Sequence, residues 1–272
     1  MANTIEAYMP DLDRIKEHLK NPEPMIVSKD EFEEVMAQPK KFGLYRGADM
    51  GDEEILRAME IGWIKIWAPD GEFDLLNHID SADVDFRLGQ DFWHYTQNAI
   101  DHLTIGNHIE PIRDLELLVY TYKMPGQDYI TYPGTITLAK TREHISLANT
   151  LHARFDGKSL AARLGLSNHQ TAGHFHPGYS GAPMMEWSNG NQLFIHIKAH
   201  DKAGSMTFSM LGSPSTRPRN LKTNSESFAQ NQEGPFGFWD PKWDQVRERA
   251  ILQHSQRLLE ADRERAEYGI YK

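Results

Sequence analysis

Apolar residues recur along this chain at two periods, and the change between them divides it. Residues 1–40 are charged and mixed, and their spacing predicts a helix over Asp11–Leu19 and another near Lys29–Met36. In "DEEILRAMEIGWIKI", Ile55, Met59 and Ile61 fall on one helical face. From about Ile64 to Pro214 the pattern becomes short β-type runs broken by glycine and proline: "LELLVYTYKM", "QDYITYPG", "TITLAKT", "NQLFIHIKAH" and "SMTFSML". Runs at such near-regular spacing predict an all-β barrel or sandwich. Between them, "DFWHYTQNAIDHLTIGNHIEP" is longer than a hairpin and reads as an inserted loop near residues 93–112. The tail returns to helix, with Trp243, Val246, Ala250, Leu258 and Leu259 near helical spacing, its charges suiting a solvated face or half of a subunit contact. The expected organisation is an N-terminal helical extension over 1–50, a β domain over 51–239 and a C-terminal helix over 240–272.

Composition narrows the function classes. A chain of 272 residues can bury a substantial core. No apolar run approaches the roughly 18 residues of a membrane span, so no membrane partner is expected. The N-terminus lacks the basic-then-apolar layout of a signal peptide. There is no cysteine, which excludes disulfides, thiolate nucleophiles and cysteine–zinc sites and points to a cytoplasmic setting. A formal net charge of −10 argues against a nucleic-acid partner, and an anionic ligand would need a local cluster of positive groups.

Three stretches carry candidate chemistry. In "TAGHFHPGYSG", His174 and His176 alternate with Phe175, so on a strand both face one side, as metal ligands can. A zinc site needs a third ligand. His169, His196, His200 and Glu186 are available, but no zinc-typical spacing appears and no zinc is expected. Glu186 lies between apolar residues in "APMMEWSN", where a carboxylate is costly to bury without partners and, if buried, is suited to general acid/base work. An outward-facing strand glutamate is the alternative. "DGKSLAARLG" gathers Lys158, Ser159 and Arg163 beside glycine, a combination that supplies anion-binding donors without forming a Walker loop.

Taken in order, these pieces resemble a known family. "DFRLG" at 85–89, "GKS…RLGL" at 157–166 and "TAG…PGYSG…E" at 171–186 follow the order and nearly the spacing of the dCTP deaminase branch of the dUTPase-like superfamily, which includes bifunctional dCTP deaminase/dUTPases. The resemblance runs from about Asp52 to Gly234. It implies a mainly β fold, a distorted jelly-roll barrel assembled as a homotrimer with active sites at subunit contacts. It also implies metal-free hydrolytic deamination of dCTP to dUTP and ammonia, unlike the zinc deaminases.

By the same resemblance Glu186 is the catalytic glutamate that activates water, and Ser159 and Arg163 position and polarise that water and the pyrimidine. Lys158 contacts phosphate, the Ala172 backbone approaches the base, Tyr179 belongs to the substrate-binding stretch, and Gln232 closes over the nucleotide. Magnesium would arrive on the triphosphate, held by phosphate oxygens and water. The departures are informative. His176 stands where the family has an aspartate beside the sugar, Leu160 and Ala161 follow Ser159, Phe228 and Ala229 replace a lysine and tyrosine, and Ala199, His200 and Asp201 replace a "PGM" turn. Two alternatives stay open: a dUTPase-type dNTP pyrophosphatase or bifunctional enzyme, and a catalytically inactive nucleotide-binding trimer.

Overall fold

The computed structural model describes residues 8–71, 73–95, 118–219 and 240–267. Helix α1 (Leu12–Leu19) starts at Asp11, whose carboxylate accepts from the Arg14 amide, and α2 (Lys29–Met36) starts in a capping box between Ser28 and Glu31. These local signals explain why both helices form where the spacing predicts. A short α3 (Pro39–Phe42) stops at Gly43, and α4 (Asp52–Glu60) buries Ile55, Leu56, Ala58 and Met59, with Ile61 as its C-cap.

The β region runs β1 (Ile64–Trp67), α5 (Leu75–His78), β2 (Val84–Tyr95), β3 (Leu118–Tyr122), β4 (Asp128–Thr131), β5 (Ile136–Thr141), β6 (His144–Leu147) and β7 (Leu151–Gly157). It continues through α6 (Ser159–Arg163), β8 (Leu166–Ser167), β9 (His174–Phe175), β10 (Ser180–Gly181), β11 (Met184–Asn189), β12 (Ile195–Lys198) and β13 (Lys202–Met210), before the terminal α7 (Lys242–Glu267). The main sheet has the order β8-β11-β5-β2-β13-β7-β9, with β3 also paired to β2. Two smaller sheets have the orders β1-β6-β10 and β12-β4. All pairings are antiparallel. The architecture is mainly β, a curled half-barrel with helices toward both ends of the chain, as expected.

Strand β2 makes the curl. Its first residues pair with β13 and its last with β3 and β5, with an irregularity between Leu88 and Phe92. Gly89 sits in that break because a Cβ there would lie 2.8 Å from the Lys140 carbonyl oxygen. This long strand corrects the expected insertion: Trp93, His94 and Tyr95 are its final residues, and residues 96–117 lie outside the described set.

The core is formed from both the β region and the N-terminal helices. Ile15, Val27 and Phe32 join Phe86, Phe155 and Phe208 in a single buried cluster. A second cluster, Trp93, Leu118, Tyr120, Leu138 and Trp243, seats the start of α7. Of the five apolar positions read along that helix, only Trp243 is fully buried, and Val246, Leu258 and Leu259 are exposed. The apolar spacing of α7 therefore does not translate into a buried face, because only its first turns meet the sheet.

Candidate active site

Alternation along β11 sets Met185 and Trp187 into the core and leaves Glu186 on the opposite face, half-buried. Its Oε2 lies 2.9 Å from His169 Nδ1. An ionised carboxylate only accepts, so Nδ1 carries the proton and, in the neutral ring, Nε2 is left as an acceptor. That Nε2 is buried and meets no hydrogen-bond partner among the described residues. The imidazole is gripped edge-on by Phe155, at 5.7 Å between centroids, and lies 6.4 Å from Phe175. The sequence therefore supplies a carboxylate whose direction is fixed by a histidine, itself fixed by two core aromatics. The phenol of Tyr95 is pushed up by burial and, secondarily, by the Glu186 charge, which puts the end of β2 beside the same carboxylate.

His169 also lines a cleft of about 560 Å³, together with Arg154, Asp156, Ala162, Ser167 and Asn168. The volume falls within the range of small-molecule sites, about 300–1,000 Å³. Packing around the lining residue Gly157 is tight: Gly204 pairs with it, and a Cβ on Gly204 would lie 2.4 Å from the Asp156 carbonyl oxygen. Buried Asn168 lies beside both glycines and donates to the Ala203 carbonyl at 3.4 Å. Ser167 closes the turn by donating to the His169 carbonyl at 2.6 Å.

The remaining predicted site residues are spread around this centre. Ser159 and Arg163 open and close α6 and are exposed, and among the described residues no hydrogen bond or ion pair joins either to Glu186. Lys158 is half-buried and ion-paired to buried Asp85, which Lys202 also contacts. Burial alone would raise the Asp85 carboxyl, but the two ammonium groups outweigh it and hold it below its ordinary range. Ala172 is exposed on the loop before β9. His176 is exposed at the first position of a Pro-Gly turn: its carbonyl accepts from the Tyr179 amide at 3.0 Å, and Gly178 supplies φ 76°. Tyr179 is buried edge-on against Phe175 and donates to the Ala182 carbonyl at 3.1 Å. Gln232 lies outside the described residues, as do Phe228 and Ala229.

His174 and His176 do share an exposed side around buried Phe175. No group of three or more His, Asp or Glu side chains is arranged to hold a metal ion among the described residues. His169, considered from sequence only as a third metal ligand, is instead the partner of Glu186. Tyr95 was hidden because its stretch reads as an insertion, and no sequence signal marks it.

Comparison with known proteins identifies the family. A family model described as dCTP deaminase-like matches residues 50–211. The dCTP deaminase of Thermomicrobium roseum is 31% identical over 189 residues, covering 68% of this chain and 91% of that protein. The dUMP-forming dCTP deaminase of Bifidobacterium longum is 30% identical with the same coverage. The crystal structure of 2′-deoxycytidine 5′-triphosphate deaminase from Agrobacterium tumefaciens aligns at a TM-score of 0.46 and 18% identity, covering 61% of this chain and 49% of that one. Glu186, His169 and α6 all fall inside the matched span, which occupies more than half of the sequence, and the chain belongs to the dCTP deaminase-like family.

Proposed function

We propose that this chain is an enzyme that hydrolytically deaminates a deoxycytidine nucleotide, with dCTP as substrate and dUTP and ammonia as products. The observation that carries this reading is the Glu186–His169 pair beside a 560 Å³ cleft, within the family span. Glu186 takes a proton from water as the water oxygen bonds to C4 of the cytosine ring. That proton goes to N3 of the ring; the remaining proton of the C4 hydroxyl then passes through Glu186 to the amino group, the C4–N bond breaks, and ammonia leaves a uracil C4 carbonyl and N3–H behind. His169 holds the carboxylate in line for both transfers.

Ser159 and Arg163 position the water and polarise the pyrimidine in this reading, and they do so from a neighbouring subunit. Two features of the single chain support this: both residues stand exposed on α6, and Leu160, Leu164, Leu193 and Phe194 expose apolar surface of the kind a subunit contact covers. The assembly we propose is a homotrimer. Lys158 contacts phosphate in exchange for part of its hold on Asp85, Ala172 presents its backbone to the base, and His176 meets the sugar. Tyr179 supports the turn that carries His176, and Gln232 contacts the bound nucleotide. Magnesium enters with the triphosphate, no zinc takes part, and the setting is cytoplasmic with neither nucleic acid nor membrane as partner.

One observation favours a second reading. Some relatives at about this similarity are named dUMP-forming, which would add release of pyrophosphate. Against it, the aspartate that the pyrophosphatase branch would use at the phosphate is His176 here. The experiment is incubation with dCTP, CTP, dCMP and dUTP, with ammonia and pyrophosphate assayed separately. Ammonia from dCTP without pyrophosphate supports the first reading, and both products support the second. Neither product, with nucleotide still bound, would leave an inactive nucleotide-binding trimer.

A further inference from the structure

A second, smaller cavity of about 190 Å³ lies away from the Glu186 centre, where β2 separates from β5 at the Gly89 break. Three cations line it: Lys140, Arg142 and Arg247. Arg142 is the most buried of them, its side chain only 6% exposed, and its Nε donates to Asp70 Oδ2 at 2.9 Å. Asp70 is 48% exposed and stands beside Gly71, a turn glycine with φ 79°. Lys140 and Arg247 converge on Asp91, at 3.5 and 2.8 Å. The buried Nδ1 of His144 meets no hydrogen-bond partner among the described residues.

The turn at the cavity's edge is unusual. His200 adopts φ 72°, the left-handed region that glycine fills without cost, and is the one non-glycine residue to do so among the described residues. Its amide donates to the Leu88 carbonyl at 2.8 Å and the residue lines the cavity. A sparsely populated backbone conformation at a polar residue lining a pocket is of the kind that clusters at binding sites.

We propose that this cavity binds a small oxyanion of the phosphate class, with the Asp70 carboxylate as its internal stand-in. A buried guanidinium fork matches carboxylate or phosphate oxygens, and the group now on Arg142 sits on a half-exposed turn from which it can be displaced. Donors approach from β5, from the connection after it, from β6, from the 198–201 turn and from α7, a spread that suits a tetrahedral anion better than a planar one. The volume lies below the roughly 300 Å³ at which sites for drug-sized ligands begin, so it admits inorganic phosphate or one phosphate group rather than a whole nucleotide. Arg247 lies outside the family-matched residues, so the site depends on this chain's own C-terminal helix.

The test is calorimetric titration of inorganic phosphate into the full-length protein at constant ionic strength, without nucleotide and with a saturating nucleotide on the Glu186→Gln background. One saturable site per chain is expected, and it persists beside bound nucleotide where the ligand is a free anion. Arg142→Gln should weaken it at least tenfold. Asp70→Asn should tighten it several-fold by removing the exposed one of the two carboxylates on Arg142, the other being buried Glu143 at 3.6 Å, a gain that misfolding does not produce and that keeps the test decisive if Arg142→Gln fails to fold. A parallel titration with dCMP separates the sources: a free anion is the ligand if dCMP leaves the phosphate isotherm unchanged, and a nucleotide phosphate if dCMP competes and also responds to Asp70→Asn. The proposal is overturned by no saturable binding in either the parent or Asp70→Asn, by an unchanged or lower affinity in Asp70→Asn, or by phosphate that nucleotide displaces without any dependence on Asp70.

Discussion

The helical regions before and after the β domain are attached in opposite ways. The N-terminal helices are part of the core: Ile15, Val27, Phe32 and Met36 are buried in the same cluster as the barrel phenylalanines. Buried polar groups add fixed ties, with Lys65 donating to the Asn21 and Glu23 carbonyls at 2.6 and 2.7 Å and Asn149 bonding both ways to the Val27 backbone. The C-terminal helix instead hangs mainly on one aromatic, Trp243, packed against Trp93 and Tyr120, and on Arg247 at Asp91 and over the Tyr122 ring, with one long hydrogen bond between His254 and Gln127 at 3.4 Å. Most of its later apolar side chains face outward. Hydrophobic continuity makes the first region inseparable from the fold, while a mixed apolar and ionic clasp makes the second detachable.

The largest expected effect follows from breaking the first attachment. Phe32 is fully buried and stacks on Trp63 at 6.0 Å, so Phe32→Ala should cost about 3–5 kcal/mol. Denaturant unfolding followed by far-UV circular dichroism should show that loss in one cooperative transition. Trp243→Ala removes an equally large side chain, yet its cost is capped by the docking energy of α7. Global stability should fall by about 1–3 kcal/mol, with loss of hydrogen-exchange protection concentrated in α7.

A third expectation concerns acid. Burial alone would raise the Asp91 carboxyl, but Lys140, Arg247 and the Tyr120 hydroxyl, which donates to it at 2.5 Å, together hold it below the ordinary range. A depressed folded-state value means its contribution is fully present above the unfolded value of about 3.9 and is lost as pH falls below that. Exchange protection of α7 should therefore decline below about pH 4 before that of α2, and Asp91→Asn should abolish this difference. The smallest effect is expected at Leu259→Ser. That side chain is exposed, and stability should change by no more than about 0.5 kcal/mol. A larger loss at high protein concentration would show that a second copy covers the helix.

The same contrast explains what was legible from sequence. Helices α1 and α2 were readable from their spacing, and the structure adds the local caps that hold them there, Asp11 and the Ser28–Glu31 box. Glu186 stood out as a candidate because a carboxylate interrupts an otherwise apolar strand. Its partner was not, since His169 is 17 residues away and reaches it only once the 167–173 loop folds against Phe155. Strand β2 was not read as a strand, its last residues being assigned to an insertion, because burial on both faces through Phe92 and Trp93 erases alternation, and Tyr95 was missed with it. Helical spacing in α7 identified the helix but not its docking, which rests mainly on Trp243 and Arg247.

The central claim is that Glu186, oriented by His169, moves the proton in a deamination. Its most direct test is steady-state release of ammonia from dCTP by the parent and by Glu186→Gln, with nucleotide affinity measured alongside. Turnover should fall by about 10²–10⁴-fold, the range typical of a general acid/base group, while binding is retained. Ammonia release at the parent rate would make Glu186 a structural strand residue and contradict the account.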